Sequence, residues 1–126
     1  MKKCVVIGVT GGIAVYKALD IISALKKKDI DVRVIMTDSA TKFINPITFQ
    51  SLSNNAVAVD TFQEIKVHEI QHISLAQRAD LMLIAPATAN IIGKVANGIA
   101  DDMLSTTIMA CKSKVIFAPA MNTNMY

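Results

Sequence analysis

Two histidines stand close together in the middle of the sequence, and either could move a proton near neutral pH. They are His68 and His72, and an imidazole titrates in the range that general acid–base catalysis needs. His72 opens a predicted helix that leads into an apolar run, whereas His68 lies in a less regular stretch. Each also fits a surface or helix-capping histidine, so the residue types alone do not choose between them.

A glycine pair, Gly11 and Gly12, follows the first apolar run of the chain. Glycines allow a tight turn and a close approach of backbone to ligand, and the start of the next helix, at Ile13, offers free N–H groups. This turn can therefore hold a phosphate, although a strand-to-helix turn that binds nothing has the same sequence. The pair matches neither Gly-x-Gly-x-x-Gly nor the P-loop pattern, which argues against ordinary dinucleotide or ATP binding.

Two hydroxyl groups follow the second apolar run, on Thr37 and Ser39, with Asp38 between them. The hydroxyls can donate hydrogen bonds to a phosphate or to the ribityl chain of a flavin. Asp38 or Ser39 could instead cap a helix, and an aspartate here also suits the ribose of a nicotinamide cofactor. The segment places polar groups at a sheet edge without choosing the cofactor.

The third apolar run ends in small residues, Ala85-Pro86-Ala87-Thr88-Ala89-Asn90. Small residues such as Ala89 let a flat ring lie against the backbone, while Thr88 and Asn90 supply hydrogen bonds. A plain helix start with Thr88 as its cap explains the same residues. The segment predicts either the wall of a cofactor site or an ordinary helix start.

The elements that must position these residues are apolar runs with helical segments between them, which is the pattern of a parallel α/β sheet. The predicted buried strands are Cys4–Val9, Val32–Met36, Leu81–Pro86 and Val115–Pro119, with a short strand near Val57–Val59. We therefore predict one domain over residues 1–126 with a Rossmann-like (flavodoxin-like) three-layer fold, helices covering both faces of the sheet. In such sheets ligands bind beyond the carboxyl ends of the strands, where all the polar turns above lie.

A stripe of large side chains defines the first helix. Its members, at helical spacing, are Ile13, Tyr16, Leu19, Ile22 and Leu25, and we expect them to pack on the sheet. The next stretch, from Phe43 to Ile70, is less regular and carries turn residues at Asn45-Pro46 and Asn54-Asn55.

Composition excludes several classes of function. The chain has 126 residues, 52% of them apolar, and a net charge of +3, so a real core is expected and disorder is not. Its apolar runs are too short to cross a membrane, and no basic stripe with interleaved aromatic residues indicates nucleic-acid binding. The two cysteines, Cys4 and Cys111, show neither metal-ligand spacing nor a disulfide framework, which favours the cytoplasm and predicts no metal site.

The last segment, Pro119-Ala120-Met121-Asn122-Thr123-Asn124-Met125-Tyr126, resembles the Pro-x-Met-Asn-x-x-Met-aromatic signature of the homo-oligomeric flavin-containing cysteine decarboxylases. That family includes enzymes acting on phosphopantothenoylcysteine and on lantibiotic peptides. Four other segments resemble the family in the expected order. They are the turn from Thr10 to Lys17, the histidine segment from His72 to Leu75, the wall from Ala85 to Asn90 and the stretch from Gly98 to Leu104.

The resemblance implies chemistry for particular residues. His72 would be the acid–base residue, and Asn122 would bind the substrate carboxylate, with Ala120 and Met121 beside the cofactor. FMN would oxidise the Cα–Cβ–S unit of an acylated cysteine, such as phosphopantothenoylcysteine, which then loses CO₂. The resemblance also implies a homo-oligomer, a trimer or a multiple of trimers, acting on a small molecule.

Reduction of the resulting enethiol needs a cysteine that the family carries in a flap after the signature. The sequence ends at Tyr126, so we expect either the front of a longer protein or a protein that makes only the oxidative product. A flavin-binding module without decarboxylase activity is a further hypothesis. A nicotinamide-dependent reductase is disfavoured, because its glycine fingerprint is missing.

Overall fold

The computed structural model of the protein describes residues 2–59 and 74–120. Its strands are β1 (Cys4–Val9), β2 (Asp31–Met36), β3 (Ala58–Val59), β4 (Leu81–Ala87) and β5 (Lys114–Pro119). They pair in parallel, in the order β3-β2-β1-β4-β5. The chain therefore starts in the middle of the sheet and builds outward first to one side and then to the other.

Helical segments connect the strands. They are a 3-10 helix (Ile13–Tyr16), α1 (Lys17–Lys27), α2 (Asp38–Thr41), α3 (Pro46–Ser53), α4 (residues 74–78), α5 (Ala89–Ala96) and α6 (Met103–Ala110). Two apolar clusters, one on each face of the sheet, join these helices to the strands. The predicted three-layer, flavodoxin-like α/β fold is confirmed.

Side-chain alternation along β1 divides the core between the two faces. Val5, Ile7 and Val9 belong to the cluster that includes residues of α1 and α3, whereas Cys4 and Val6 belong to the cluster that includes residues of α5 and α6. Successive side chains of a strand point to opposite faces, so a central strand covered on both sides must be apolar throughout. This explains why β1 reads as one continuous apolar run.

The stripe predicted for the first helix is wrong at its N-terminal end. Ile13 is 84% exposed and Tyr16 is 56% exposed, while Val15 is buried. Residues 13–16 form a 3-10 helix, which has about three residues per turn, so the α-helical spacing does not extend back into them. Ala18 and Ile22 continue the buried face along α1.

The stretch interpreted as irregular contains a regular helix, α3. Asn45 caps it by accepting a hydrogen bond from the N–H of Ile47 at 3.0 Å, Pro46 occupies its first turn, and Asn54 ends it in the left-handed conformation. Asn is a favoured N-cap residue, Pro is favoured in the first helical turn, and Asn in the left-handed conformation can end a helix, so these residues mark helix ends as well as loops. The side chain of Phe49 is buried between α3 and the sheet, and it holds the helix against the sheet.

Cys4 is buried at the amino end of β1, 4% exposed. Its burial, followed by the nearby Asp31 carboxylate, raises the pKa of the thiol from 9.0 to about 11. The thiol is therefore protonated at neutral pH, and it lies at the edge of the sheet opposite to the carboxyl ends of the strands. Cys4 behaves as an apolar core residue.

The raised pKa predicts a loss of stability at alkaline pH. Because the folded state holds the thiol proton more tightly than the unfolded state, this stabilisation is complete below pH 9 and is lost as the pH rises through about 11. We expect urea denaturation to show a fall of roughly 2–3 kcal/mol in the free energy of unfolding from this group across that window. Cys4→Ala should show a correspondingly shallower decline, and equal slopes for the two proteins would contradict the prediction.

Candidate functional site

A cleft of about 410 Å³ lies beyond the carboxyl ends of the central strands, within the range typical of ligand sites. It is bounded by the turn after β1, the start of α2, the first two turns of α5 and the start of α6. Its lining residues are Thr10, Gly11, Thr37, Asp38, Ser39, Thr88, Asn90, Ile91, Lys94, Asp101 and Asp102. The fold thus brings four distant segments of the sequence to one edge.

Thr10 joins two of these segments through its buried hydroxyl group. The hydroxyl donates a hydrogen bond to the carbonyl oxygen of Pro86 and accepts one from the N–H of Thr88 at 3.1 Å. The side chain is 2% exposed, so water does not replace these contacts. Thr10 therefore fixes the turn after β1 against the end of β4.

Replacing Thr10 by valine should show how much these two hydrogen bonds contribute to stability, because the valine side chain has nearly the same shape but cannot hydrogen-bond. Leaving the carbonyl of Pro86 and the N–H of Thr88 without this partner should lower the free energy of unfolding by about 1–3 kcal/mol. Thr10→Ser keeps the hydroxyl and should lose about 1 kcal/mol or less, for the missing methyl group. Urea denaturation of the three proteins measures this, and a serine variant as unstable as the valine variant would exclude the hydrogen-bond explanation.

Gly11 allows the turn after β1 to touch the start of α2. A Cβ atom built on Gly11 would lie 2.6 Å from Cβ of Ser39 and 2.9 Å from its carbonyl carbon, whereas one built on Gly12 would meet nothing within 4 Å. Distances below 3.0 Å to backbone atoms cannot be relieved by a side-chain rotation. Close approach, rather than an unusual backbone angle, therefore explains the glycine at position 11.

The segment after β2 resolves one of the alternatives that the sequence leaves open. Thr37 caps α2, since its hydroxyl oxygen accepts a hydrogen bond from the N–H of Ala40 at 3.2 Å. Asp38 and Ser39 do not serve as the cap; both are exposed and line the cleft. Their polar atoms are therefore available to a bound molecule.

The segment after β4 starts a helix and contributes two polar residues to the cleft, but its small residues, predicted as a cofactor wall, do not line the cleft. Thr88 caps α5, with its hydroxyl oxygen accepting from the N–H of Ile91 at 3.4 Å, and it also lines the cleft together with exposed Asn90. The helix N-terminus carries a partial positive charge, which favours an anion or an electron-rich group nearby. A cap residue and a ligand-facing residue can be the same residue.

Lys94 and two aspartates lie at the far end of the cleft, whereas the near end carries the carboxylate of Asp38. Lys94 follows Thr88 by six residues, about 9 Å along the helix axis, and its Nζ lies 2.9 Å from Oδ1 of Asp101 and 3.8 Å from Oδ2 of Asp102. The hydroxyl-rich end, around Thr10 and Ser39, carries no basic side chain among the described lining residues. Hydroxyl and backbone donors, rather than cations, are what that end offers to a phosphate.

The structure brings part of the predicted cofactor site together in the cleft. Five of the predicted cofactor residues line the cleft, namely Gly11, Thr37, Ser39, Thr88 and Asn90. Gly12, Ile13, Ala89 and Ala120 do not line it, although Ala120 hydrogen-bonds through its N–H to the carbonyl of Ala87 at 3.1 Å, beside the cap of α5. The predicted positions His72, Met121 and Asn122 lie outside the described residues, as does His68.

Sequence reasoning missed several lining residues, of which Lys94, Asp101 and Asp102 carry charge. The two aspartates fall within the Gly98–Leu104 stretch that resembles the cysteine decarboxylases, so the resemblance alone could have found them. Nothing marks Lys94 on a helix of mixed composition. Its place in the cleft follows only from the contact between α5 and the start of α6.

The described lining residues offer hydroxyl and backbone donors for one anion, and the described part of the chain holds no cluster of three metal-ligating side chains. None of its helices is long and apolar enough to cross a lipid bilayer. The arrangement therefore suits a cofactor with a single phosphate better than a dinucleotide.

A protein-family model described as Flavoprotein matches residues 1–126. The coenzyme A biosynthesis bifunctional protein CoaBC of Bacillus subtilis is 55% identical over 122 residues. This match covers 97% of the chain but only 30% of the CoaBC sequence, so the chain spans less than a third of that relative's length.

Three solved structures resemble the fold over nearly the whole chain. The FMN-dependent cysteine decarboxylase SpaF has a TM-score of 0.86 at 29% identity, covering 98% of this chain and 71% of its own. A histidine-to-asparagine variant of EpiD with the substrate peptide DSYTC has a TM-score of 0.83 at 29% identity, with coverages of 99% and 69%. A cysteine-to-serine variant of PPC decarboxylase with pantothenoylaminoethenethiol has a TM-score of 0.77 at 26% identity, with coverages of 99% and 70%.

Proposed function

The chain belongs to the Flavoprotein family, and on this premise we propose that it binds FMN and catalyses oxidative decarboxylation of an acylated cysteine. The preferred substrate is 4′-phosphopantothenoylcysteine, on the route to coenzyme A. The observation that carries the proposal is the cleft at the carboxyl edge, where the turn at Gly11 meets the polar side chains that follow β2 and β4. The 55% identity with CoaBC supports the choice of substrate.

The lining residues fit FMN better than FAD. The turn at Gly11 and the hydroxyl of Ser39 can receive one phosphate, and Thr37 and Thr88 can hydrogen-bond a ribityl chain. At the other end of the cleft the ammonium group of Lys94 is already paired with the carboxylates of Asp101 and Asp102, so that end is poorly suited to a second phosphate. SpaF is described as FMN-dependent, which supports the same cofactor in this chain.

Bound FMN supplies a two-electron acceptor for oxidation of the cysteine side chain. Oxidation of the Cβ–S bond to a thioaldehyde removes a hydride and the thiol proton. Breaking the Cα–carboxylate bond would then release CO₂ and leave its electron pair in an enethiolate, which takes up a proton to give the enethiol. Return of the two electrons and protons would give 4′-phosphopantetheine, so the complete reaction is redox-neutral.

We assign the two polar roles at the substrate to His72 and Asn122. His72 would move the proton, and Asn122 would orient the carboxylate. An amide suits that role because a full positive charge would stabilise the ground-state carboxylate that has to leave. The EpiD variant in which asparagine replaces a histidine was obtained with its substrate peptide, which supports a histidine that acts after binding.

The final reduction needs a proton donor that the described cysteines do not provide. Cys4 is buried at the amino edge with a raised pKa, and Cys111 follows α6 just before β5 begins, at that same edge. A cysteine variant of PPC decarboxylase is described in complex with an enethiol. We therefore assign the reduction to neither Cys4 nor Cys111.

We further propose a cytoplasmic, closed homo-oligomer, a trimer or a multiple of trimers, in which residues 1–126 form the FMN-binding domain. Large apolar side chains on the segments after β1 and β2 support an interface. They are Ile13, Tyr16, Phe43 and Ile47, each at least half exposed. Light scattering at micromolar concentration tests the proposal, and a flavin-loaded monomer would contradict it.

The likeness to EpiD and SpaF supports a second candidate, decarboxylation of a peptidyl cysteine without the reductive step.

Two measurements test the cofactor and the substrate that we propose. Mass analysis of the released cofactor should give FMN, and FAD or no flavin would overturn the cofactor assignment. Adding phosphopantothenoylcysteine should bleach the flavin band and release CO₂; bleaching by a peptide ending in cysteine alone would favour the second candidate.

A further inference from the structure

Lys94 has a place in the cleft that the proposed chemistry does not use. Its side chain is 21% exposed, and its ammonium group is shared between the carboxylates of Asp101 and Asp102. Lys94 stands on the second turn of α5, whereas the two aspartates precede and cap α6. The ion pairs therefore bridge two helices across one wall of the cleft.

The aspartate side of this bridge is held firmly by the start of α6. Oδ1 of Asp102 accepts hydrogen bonds from the N–H of Ser105 at 2.8 Å and from its hydroxyl at 2.6 Å. The hydroxyl oxygen of Ser105 in turn lies 3.1 Å from the backbone nitrogens of Asp101 and Asp102. This reciprocal capping leaves Oδ2 of Asp102 directed at Lys94.

Lys94 contacts both ends of the turn between the two helices, one through its backbone and the other through its side chain. Its carbonyl oxygen accepts a hydrogen bond from the N–H of Ile99 at 2.8 Å, and Gly98 makes the turn in the left-handed conformation with φ of 69°. The backbone of Lys94 thus fixes the near end of the turn, and its side chain fixes the far end. Without the ammonium group, the exposed stretch from Ile99 to Asp101 would lose its side-chain tie to α5 and keep the backbone bond of Ile99 and the hydroxyl contacts from the first turn of α6.

We propose that Lys94 is a positioning residue, which holds the α5–α6 turn through Asp101 and Asp102 so that the cleft keeps the width its cofactor needs. The proposal rests on the flavin site argued above. Lys94 acts through the two carboxylates and not through a contact with the phosphate of the cofactor. It should therefore affect ligands with and without a phosphate alike.

The test compares apo proteins titrated with FMN and with riboflavin, which lacks the phosphate. Lys94→Met should weaken both about tenfold, and Lys94→Arg should restore both to within about threefold. The double variant Lys94→Met with Asp101→Asn removes one charge of each sign, and it should bind as weakly as Lys94→Met. Lys2→Met, which breaks an exposed ion pair to Asp29 outside the cleft, is the matched control and should bind like the parent.

Thermal melting and hydrogen exchange of the apo proteins complete the experiment. Lys94→Met should melt within a few degrees of Lys2→Met, while the N–H of Ile99 exchanges faster. A larger fall in melting temperature would indicate a general stability role and overturn the proposal. So would a loss confined to FMN, a double variant that recovers binding, or unchanged exchange. A parent that binds neither flavin would refute the proposed function, and the exchange at Ile99 would still decide the role of Lys94.

Discussion

His72→Asn should leave flavin bound but abolish the bleaching that an acyl-cysteine substrate causes. Asparagine keeps a similar size and polarity yet cannot take up a proton, and loss of a general acid–base residue typically lowers the rate by about 10²- to 10⁴-fold. Stopped-flow absorbance of the flavin band, in a protein that includes the complete substrate site, measures the rate directly. Flavin content per subunit should match the parent.

His68→Asn is the matched control, because it makes the same change four residues earlier in the sequence. Its bleaching rate should stay within a few-fold of the parent. If His72→Asn bleaches normally, or if His68→Asn is the slower variant, the assignment of the acid–base residue is wrong.

Asn122→Asp extends the same test to the substrate carboxylate. A carboxylate facing a carboxylate is repelled, strongly so in a site from which water is excluded. The damage should therefore equal or exceed that of His72→Asn and appear partly as weaker substrate binding. A variant that binds substrate as tightly as the parent would remove Asn122 from the site.

The fold could be predicted because strand burial leaves a direct trace in the sequence. In a parallel sheet covered on both faces, each central strand must be apolar at every position, and the runs at Cys4–Val9 and Leu81–Ala87 satisfy this requirement. Such runs are hard to mistake when turn residues bound them. The strand bounds differ from the predicted ones by one residue at three of the four long strands.

Local helix geometry was harder to predict. The apolar residues between positions 13 and 25 can form a buried stripe through Ile13 or one through Val15 and Ala18. Because the segment starts as a 3-10 helix, Val15 and Ala18 are the buried ones. Whether a helix begins with a 3-10 turn depends on how the preceding turn contacts the sheet, which spacing does not reveal. Asn45 and Asn54 fit the turn residues of a loop as well as the two ends of a helix, so the sequence pattern does not predict α3.

The site could be predicted only where a residue type has few alternative explanations. Residues that follow the carboxyl ends of parallel strands lie at the edge of the sheet where ligands bind. The topology alone therefore predicts that Gly11, Ser39 and Thr88 line the cleft. Lys94 and Thr10 owe their places to tertiary contacts across 7 and 76 residues of sequence, respectively. Sequence spacing carries no information about such contacts.

Gly11→Ala should reduce FMN affinity far more than the addition of one methyl group would suggest. The new Cβ would come within 2.6 Å of Cβ of Ser39 and 2.9 Å of its carbonyl carbon, so the turn after β1 and the start of α2 would have to separate. Both segments line the cleft, and their separation would misplace the groups that receive the phosphate. We expect a loss in affinity of about 10²-fold and a fall of about 1–3 kcal/mol in the free energy of unfolding, from overpacking.

Gly12→Ala is the control that the chain itself provides. Its Cβ would enter open space, and its φ of −179° is extended backbone that any residue adopts. Fluorescence titration of the apo protein with FMN should give an affinity within about threefold of the parent. If Gly12→Ala loses as much affinity as Gly11→Ala while unfolding like the parent, the cofactor itself occupies the space beside Gly12. Contact with the ligand, and not the approach of Gly11 to Ser39, would then account for the glycine pair.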